Sequence, residues 1–128
     1  MTRQAKITHI IHQLGIPAHF RGYYFIRDAV MIVLDDFNAL GHVTTQIYPM
    51  IAKMYDTTPS RVERAIRHAT ETAWCSWDAD FIEKVFRYTV NQRIKRPTNC
   101  EFIAMIADKI RIDEMDIELA LQKKTAKL

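Results

Sequence analysis

The chain has 128 residues, 48% of them apolar, which fits one domain with a single buried core. Eighteen Lys and Arg against fifteen Asp and Glu leave a net charge of +3, a mild basic excess that admits an anionic partner without demanding one. Three Gly and four Pro, set between periodic segments, argue against a turn-rich β fold, and Cys75 and Cys100, far apart and in no CxxC pair, argue against a disulfide framework or a zinc site.

Ile7, Ile10, Ile11 and Leu14 recur at helical spacing and Gly15 follows as a stop, which predicts a short first helix. A connection runs from Pro17 to Gly22. Residues 24–40 then form a long apolar stretch with Ile26, Ala29, Val30, Val33, Leu34 and Phe37 on one broad face, the expected central helix, closed by Gly41. Thr44 and Thr45 are candidate caps for a helix carrying Ile47, Ile51, Ala52 and Tyr55, with Pro49 tolerated in its first turn. Asp56, Thr57 and Thr58 make a tight connection, and Pro59 opens a helix over about 59–74. A helix with Phe81, Ile82, Val85 and Phe86 follows the polar stretch 76–80, and an irregular basic segment covers about 89–97. Thr98-Asn99-Cys100-Glu101 reads as a capping box for a helix whose apolar face is Phe102, Ile103, Ile106, Ala107 and Ile110. The charged stretch 113–128 extends that helix or frays. The expected layout is a helical domain over 1–112 and a charged C-terminal extension or tail over 113–128. No apolar run is long enough to span a bilayer and no signal-peptide pattern opens the chain, so no membrane contact and a cytoplasmic location are expected.

Residues 48–67 carry the functional argument. A helix-turn-helix packs two short helices steeply across a tight turn, which calls for a small contact residue and a turn residue tolerant of left-handed backbone. Ala52 and Asp56 meet those needs. Ile51 and Tyr55 of the first helix are expected to meet Val62, Ala65 and Ile66 of the second. Thr58 suits the N-cap and Pro59 the first helical position. At 3.6 residues per turn Val62, Ala65, Ile66, Ala69 and Ala73 make one stripe. Ser60, Arg64, Arg67 and Glu71 lie opposite, flanked by Arg61 and His68 on one side and Glu63 on the other. In a major groove, Arg offers bidentate bonds to guanine and Glu63 can accept from cytosine N4. Ser60 and the first helical N–H groups can hold phosphate. An Arg-rich face is ordinarily only solvated; here the cap, small residue, turn and Arg face fall at compatible spacing.

The stretch Thr57-Thr58-Pro59-Ser60-Arg61-Val62-Glu63-Arg64-Ala65-Ile66-Arg67-His68-Ala69 resembles the recognition segment of the effector domain of the stage-zero sporulation protein A family. Further blocks agree in the same order: Ile10-Ile11-His12, Gly15-Ile16-Pro17-Ala18-His19, Arg21-Gly22-Tyr23, Tyr88-Thr89-Val90, and Pro97-Thr98-Asn99 through Glu101-Phe102-Ile103-Ala104-Met105-Ile106 to Lys109. The resemblance covers roughly residues 7–112. It implies an all-α, compact six-helix domain containing a helix-turn-helix, which binds short double-stranded DNA elements as a homodimer or tandem pair and regulates transcription. It implies base contacts by Glu63, Arg64, Arg67 and His68 and backbone contacts by Ser60 and Arg61, to which the N-cap Thr58 and the basic-loop residues Arg93 and Lys95 are added as phosphate contacts. The family's last helix takes part in pairing, which suggests Phe102, Ile106 and Ile110 for dimerisation, and RNA polymerase sigma factor enters as a further partner.

The sequence departs from the family in three places. The N-terminal receiver domain has no counterpart here, so the chain is an excised domain or a stand-alone relative. Residues 74–80 differ from the usual small, Gly-containing connection, and the tail after Ile112 lies outside the family pattern. The alternative reading is a receiverless helical interaction module that pairs with and modulates a full-length regulator. No catalytic residues, cofactor or metal are expected: His9 and His12 have no third ligand nearby, and Trp74 and Trp77 read as core and rim.

Overall fold

The computed structural model describes residues 1–86 and 95–126, and Arg93 therefore lies outside the described residues. It is all-α, with six α-helices and no strand among the described residues. Helix α1 (Arg3–Gln13) is capped by Thr2, whose hydroxyl accepts from Ala5 N at 3.1 Å, and it sinks Ile7 and Ile11 into the core. Gly15 ends the turn with φ of +88°, and a Cβ there would sit 3.0 Å from Ser76 Oγ.

Helix α2 (Arg21–Asp35) is the central helix, packed against α4 and α6 and touched by α1 and α3. It starts earlier and ends earlier than the apolar pattern predicts. Asp36 is extended and its carboxylate accepts from Asn38 N at 3.0 Å, which diverts the chain into a 3₁₀ turn over Phe37–His42. Thr44 and Thr45 do not cap the next helix. They lie in a π turn, Val43–Ile47, closed by Tyr48 N donating to Val43 O, and helix α3 (Tyr48–Met54) begins only after it. Pro49 has no N–H and its ring crowds the carbonyl four residues back, so the wider turn lets the proline enter at the head of α3.

Helix α4 (Pro59–Cys75) follows, then α5 (Ala79–Phe86). The connection between them, unusual in sequence, is built around Trp77. Its Nε1 donates to Leu14 O at 2.7 Å, and its ring lies parallel to Phe102 with centroids 6.0 Å apart. One large amphipathic side chain thus closes the α1–α2 corner against α6.

Helix α6 (Asn99–Ala126) starts with the expected capping box: Glu101 N donates to Thr98 Oγ1 at 3.2 Å and Thr98 N to Glu101 Oε1 at 3.1 Å. Phe102, Ile103, Ile106 and Ile110 are buried with Ile7, Ile26, Ile51 and Ile66 in one core. Each such side chain contributes roughly 1.5–3 kcal/mol relative to exposure. The three apolar side chains expected to meet a second copy, Phe102, Ile106 and Ile110, are 0–1% exposed, so they are structural core of their own chain and any pairing contact must use other residues. The helix continues unbroken past residue 112 into an exposed extension. No helix among the described residues is long and apolar enough to cross a membrane.

Candidate nucleic-acid interface

The turn between α3 and α4 takes the form its residues favour. Asp56 has φ of +52°, the only positive value among the described non-glycine residues, and Thr57 N donates to Ala52 O at 2.9 Å. Thr58 Oγ1 accepts from Arg61 N at 3.2 Å, Thr58 O accepts from Val62 N at 3.0 Å and Pro59 occupies the first helical turn, so α4 starts abruptly with its first amides capped. Its inner stripe is Val62, Ile66, Ala69, Thr70 and Ala73, all buried. Thr70 resolves its hydroxyl by donating to Ile66 O at 2.9 Å.

Two residues that sequence reasoning passed over fix how α4 sits. A Cβ on Gly22 would lie 2.3 Å from Ala65 O and 2.8 Å from Ala69 Cβ, so α2 and α4 approach as closely as they do only because position 22 has no side chain. Asn99, noticed only as part of the capping box, donates from Nδ2 to Tyr48 Oη at 3.0 Å and to Glu63 O at 3.1 Å. One amide therefore ties the starts of α3 and α6 to the exposed half of α4. Burial raises the Tyr48 phenol pKa against the opposing effect of the Asn99 bond. Tyr55 packs its ring edge-on to Phe25 of α2 at 5.0 Å, and its hydroxyl donates to Asp28 Oδ2.

The outer face of α4 holds the residues the sequence singles out. Ser60, Arg61, Arg64, Arg67 and His68 are exposed and Glu63 is half-buried at the edge. Glu63 pairs with Arg67 at 3.6 Å across one turn. Glu71 pairs with Arg96, which brings the segment before α6 against the same helix, with Lys95 exposed beside it. Arg61 and Arg64 make no ion pair among the described residues. The His68 ring stacks on Phe20 with centroids 4.9 Å apart and planes 19° apart, so Phe20 backs the imidazole from the α1–α2 connection. An open groove of about 360 Å³ separates the Glu63–Arg67 edge from the start of α6, lined by Tyr48, Thr70, Arg96 and Asn99 among others.

The acids on this face are each held by a neighbouring arginine, leaving a surface whose unmatched charge is positive. It lies along the first turns of α4, near the positive end of the helix dipole, a combination that suits an anionic polymer. Neither Phe20 nor Asn99 carried a local signal, since each acts across more than thirty residues of chain.

Residues 7–110 match the family described as Sporulation initiation factor Spo0A C terminal. The match begins inside α1, takes in α2 through α5 and the core-packed part of α6, and stops where α6 leaves the core. Sharing most of its length with that family, the chain belongs to the C-terminal domains of sporulation initiation factor Spo0A, which are helical, DNA-binding effector domains of a sporulation regulator.

Proposed function

We propose that this domain recognises specific sequences in duplex DNA by laying α4 in the major groove. Arg64 and Arg67 address guanine O6 and N7, and Glu63 accepts from a cytosine amino group. His68, its ring backed by Phe20, offers an edge to the next base or phosphate. Thr58, Ser60, Arg61 and Lys95 hold phosphates on either side; Thr58 Oγ1 already accepts from Arg61 N, so its own proton remains to donate. The Glu63–Arg67 pair keeps the Arg67 fork aimed along the helix before DNA arrives. Binding in pairs on adjacent elements belongs to the same proposal.

The observation that supports this reading most is Arg64. It stands at the middle of the exposed face, makes no ion pair among the described residues, and sits on a helix whose placement is fixed by Gly22 and Asn99. A free guanidinium on a rigid support is suited to bidentate recognition.

The test is binding to a duplex chosen from random sequence, with single base-pair changes. Arg64→Ala is expected to cost roughly 1–3 kcal/mol on the selected site and to flatten preference at one position. Lys95→Ala should weaken all sequences about equally and reduce the salt dependence by about one phosphate. An Arg64→Ala domain that keeps parental affinity and parental preference defeats the assignment. A parent chain that shifts no duplex at low salt favours the protein-interaction module instead.

A further inference from the structure

Tyr55 closes the C-terminal end of α3, where its amide donates to Ile51 O at 3.1 Å. Its hydroxyl is bonded to α2. It donates to Asp28 Oδ2, and Arg27 Nη2 donates to it at 3.2 Å. Arg27 Nε donates to Asp28 Oδ1 at 3.1 Å, which completes a triangle of guanidinium, carboxylate and phenol. The Arg27 and Asp28 side chains are only 20% and 12% exposed, so these charge-assisted bonds are largely shielded from water, where they are strongest. Rings of α2 back the triangle: Phe25 stands edge-on to Tyr55 at 5.0 Å, and the Arg27 guanidinium lies 5.3 Å over the Tyr24 ring.

The stretch that follows Tyr55 is costly to hold. Asp56 is left-handed with φ of +52°, and the Thr57 hydroxyl oxygen is buried with no partner among the described residues. From Asp56 to Arg61 every residue but Thr57 is exposed. The bonds within the stretch, Thr57 N to Ala52 O, Arg61 N to Thr58 Oγ1 and Val62 N to Thr58 O, are all local. The rest of α4 has grips of its own, since Gly22 lets α2 close on Ala65 and Ala69 and Asn99 holds the Glu63 carbonyl. Helix α2 thus fastens both halves of the helix-turn-helix, α4 through Gly22 and the end of α3 through Arg27 and Asp28.

We infer that Tyr55, held by Arg27 and Asp28, is a positioning residue that presents the α3–α4 turn and the first turn of α4 to the phosphate backbone. This role rests on the reading of α4 above, in which Thr58, Ser60 and Arg61 hold phosphates, and it divides that surface in two. Thr58 follows Tyr55 with only Asp56 and Thr57 between them. Arg64 and Arg67 stand among the grips at Glu63, Ala65 and Ala69. Release of the Tyr55 hydroxyl therefore shifts the phosphate-holding stretch and leaves the base-reading stretch seated. The loss falls on affinity for every sequence, while preference between sequences is kept. Asp28 supplies a test by sign. Acting only as a charge, its carboxylate repels a polyanion, and its removal tightens binding. Acting through Tyr55, its removal weakens binding.

Titration of the full 128-residue chain with a duplex selected from random sequence, and with an unrelated duplex, at several salt concentrations tests this. Tyr55→Phe keeps the ring against Phe25 and removes only the hydroxyl. Tyr55→Phe and Asp28→Ala should each weaken binding to both duplexes several-fold and lower the salt dependence by about one phosphate, with the ratio between the duplexes unchanged within about twofold. The double variant should bind no more weakly than either single one, because both act through one bond. Asp28→Asn keeps an acceptor for the Tyr55 hydroxyl and should bind as the parent does or more tightly. Parental affinity and salt dependence in Tyr55→Phe, tighter binding by Asp28→Ala, or a loss confined to the selected duplex overturns the inference. Arg64→Ala, titrated alongside, separates the two readings. If it flattens preference while Tyr55→Phe is parental, only the positioning role falls; if Arg64→Ala is parental as well, the reading of α4 falls and this role with it.

Discussion

Helix α4 and the outer half of α6 both present residues to solvent, but they are held in opposite ways. Alpha-helix α4 is supported from beneath by α2 through the Gly22 approach, from its start by the α3 turn, and from its flank by Asn99. The outer half of α6 is held only at its root, by Glu114 under Arg3 and Lys6 and by Arg111 over the Phe37 ring. A helix fixed on three sides can place a guanidinium to within the tolerance of a base edge. A helix held only at its root cannot. The difference separates a firmly seated helix from a lightly held one within one small domain.

The comparison breaks most sharply at Gly22. In a helix alanine is favoured over glycine by about 1 kcal/mol. Here the new methyl would meet the Ala65 carbonyl oxygen at 2.3 Å, backbone that cannot step aside without moving α4. Overpacking typically costs roughly 1–3 kcal/mol, and a contact with backbone belongs at the upper end. Gly22→Ala should therefore lower the denaturation midpoint despite the better propensity, and weaken DNA binding along with it. Leu121→Asp, on the unsupported helix, should leave the same midpoint within about 0.5 kcal/mol of the parent. If Gly22→Ala is as stable as the parent, α4 is not seated as tightly as the geometry requires.

Asn99→Ala comes next. Removing Nδ2 leaves Tyr48 Oη and Glu63 O, both in half-buried surroundings, without that donor, at a cost of about 1–3 kcal/mol in urea unfolding. The sharper outcome is in DNA preference. Freed of Asn99, the stretch of α4 around Glu63 should lose discrimination more than it loses general affinity, because phosphate contacts tolerate small shifts and base-edge bonds do not. Equal loss on cognate and unrelated duplexes would mean Asn99 supports stability alone.

What the sequence made legible follows the range of the interactions involved. The α3–α4 turn was readable because its determinants are local: Asp56 adopts its left-handed backbone, Thr58 caps within three residues, and Pro59 needs no N–H. The capping box at Thr98 and Glu101 was readable for the same reason. Gly22, Phe20 and Asn99 were not, because each is explained only by a helix brought alongside by folding. The apolar residues of α6 show a subtler limit. Periodicity marked Phe102, Ile106 and Ile110 as one face without saying whether their own chain or a second one covers it. The end of α2 was misplaced because a single local bond from Asn38 N to Asp36 outcompeted an apolar pattern that could have run on.

The smallest effect concerns the root of the α6 extension. The hydrogen bond from Arg3 holds the Glu114 carboxyl below its ordinary range against the opposing effect of desolvation, with further help from the charges of Arg3 and Lys6. A carboxyl depressed on folding adds stability that is fully present above its unfolded pKa and is lost as pH falls through the lower folded value. Glu114→Gln should thus destabilise the chain at neutral pH and converge with the parent in acid, below the ordinary glutamate range. Both partners are partly exposed, so solvent screening limits the difference to about 0.5 kcal/mol, and added salt should shrink it further. Chevron or equilibrium denaturation series at several pH values would resolve it. A gap that stays constant into acid would mean the glutamine loses packing rather than charge, and the extension would then be rooted by shape against α1 instead of by the arginine.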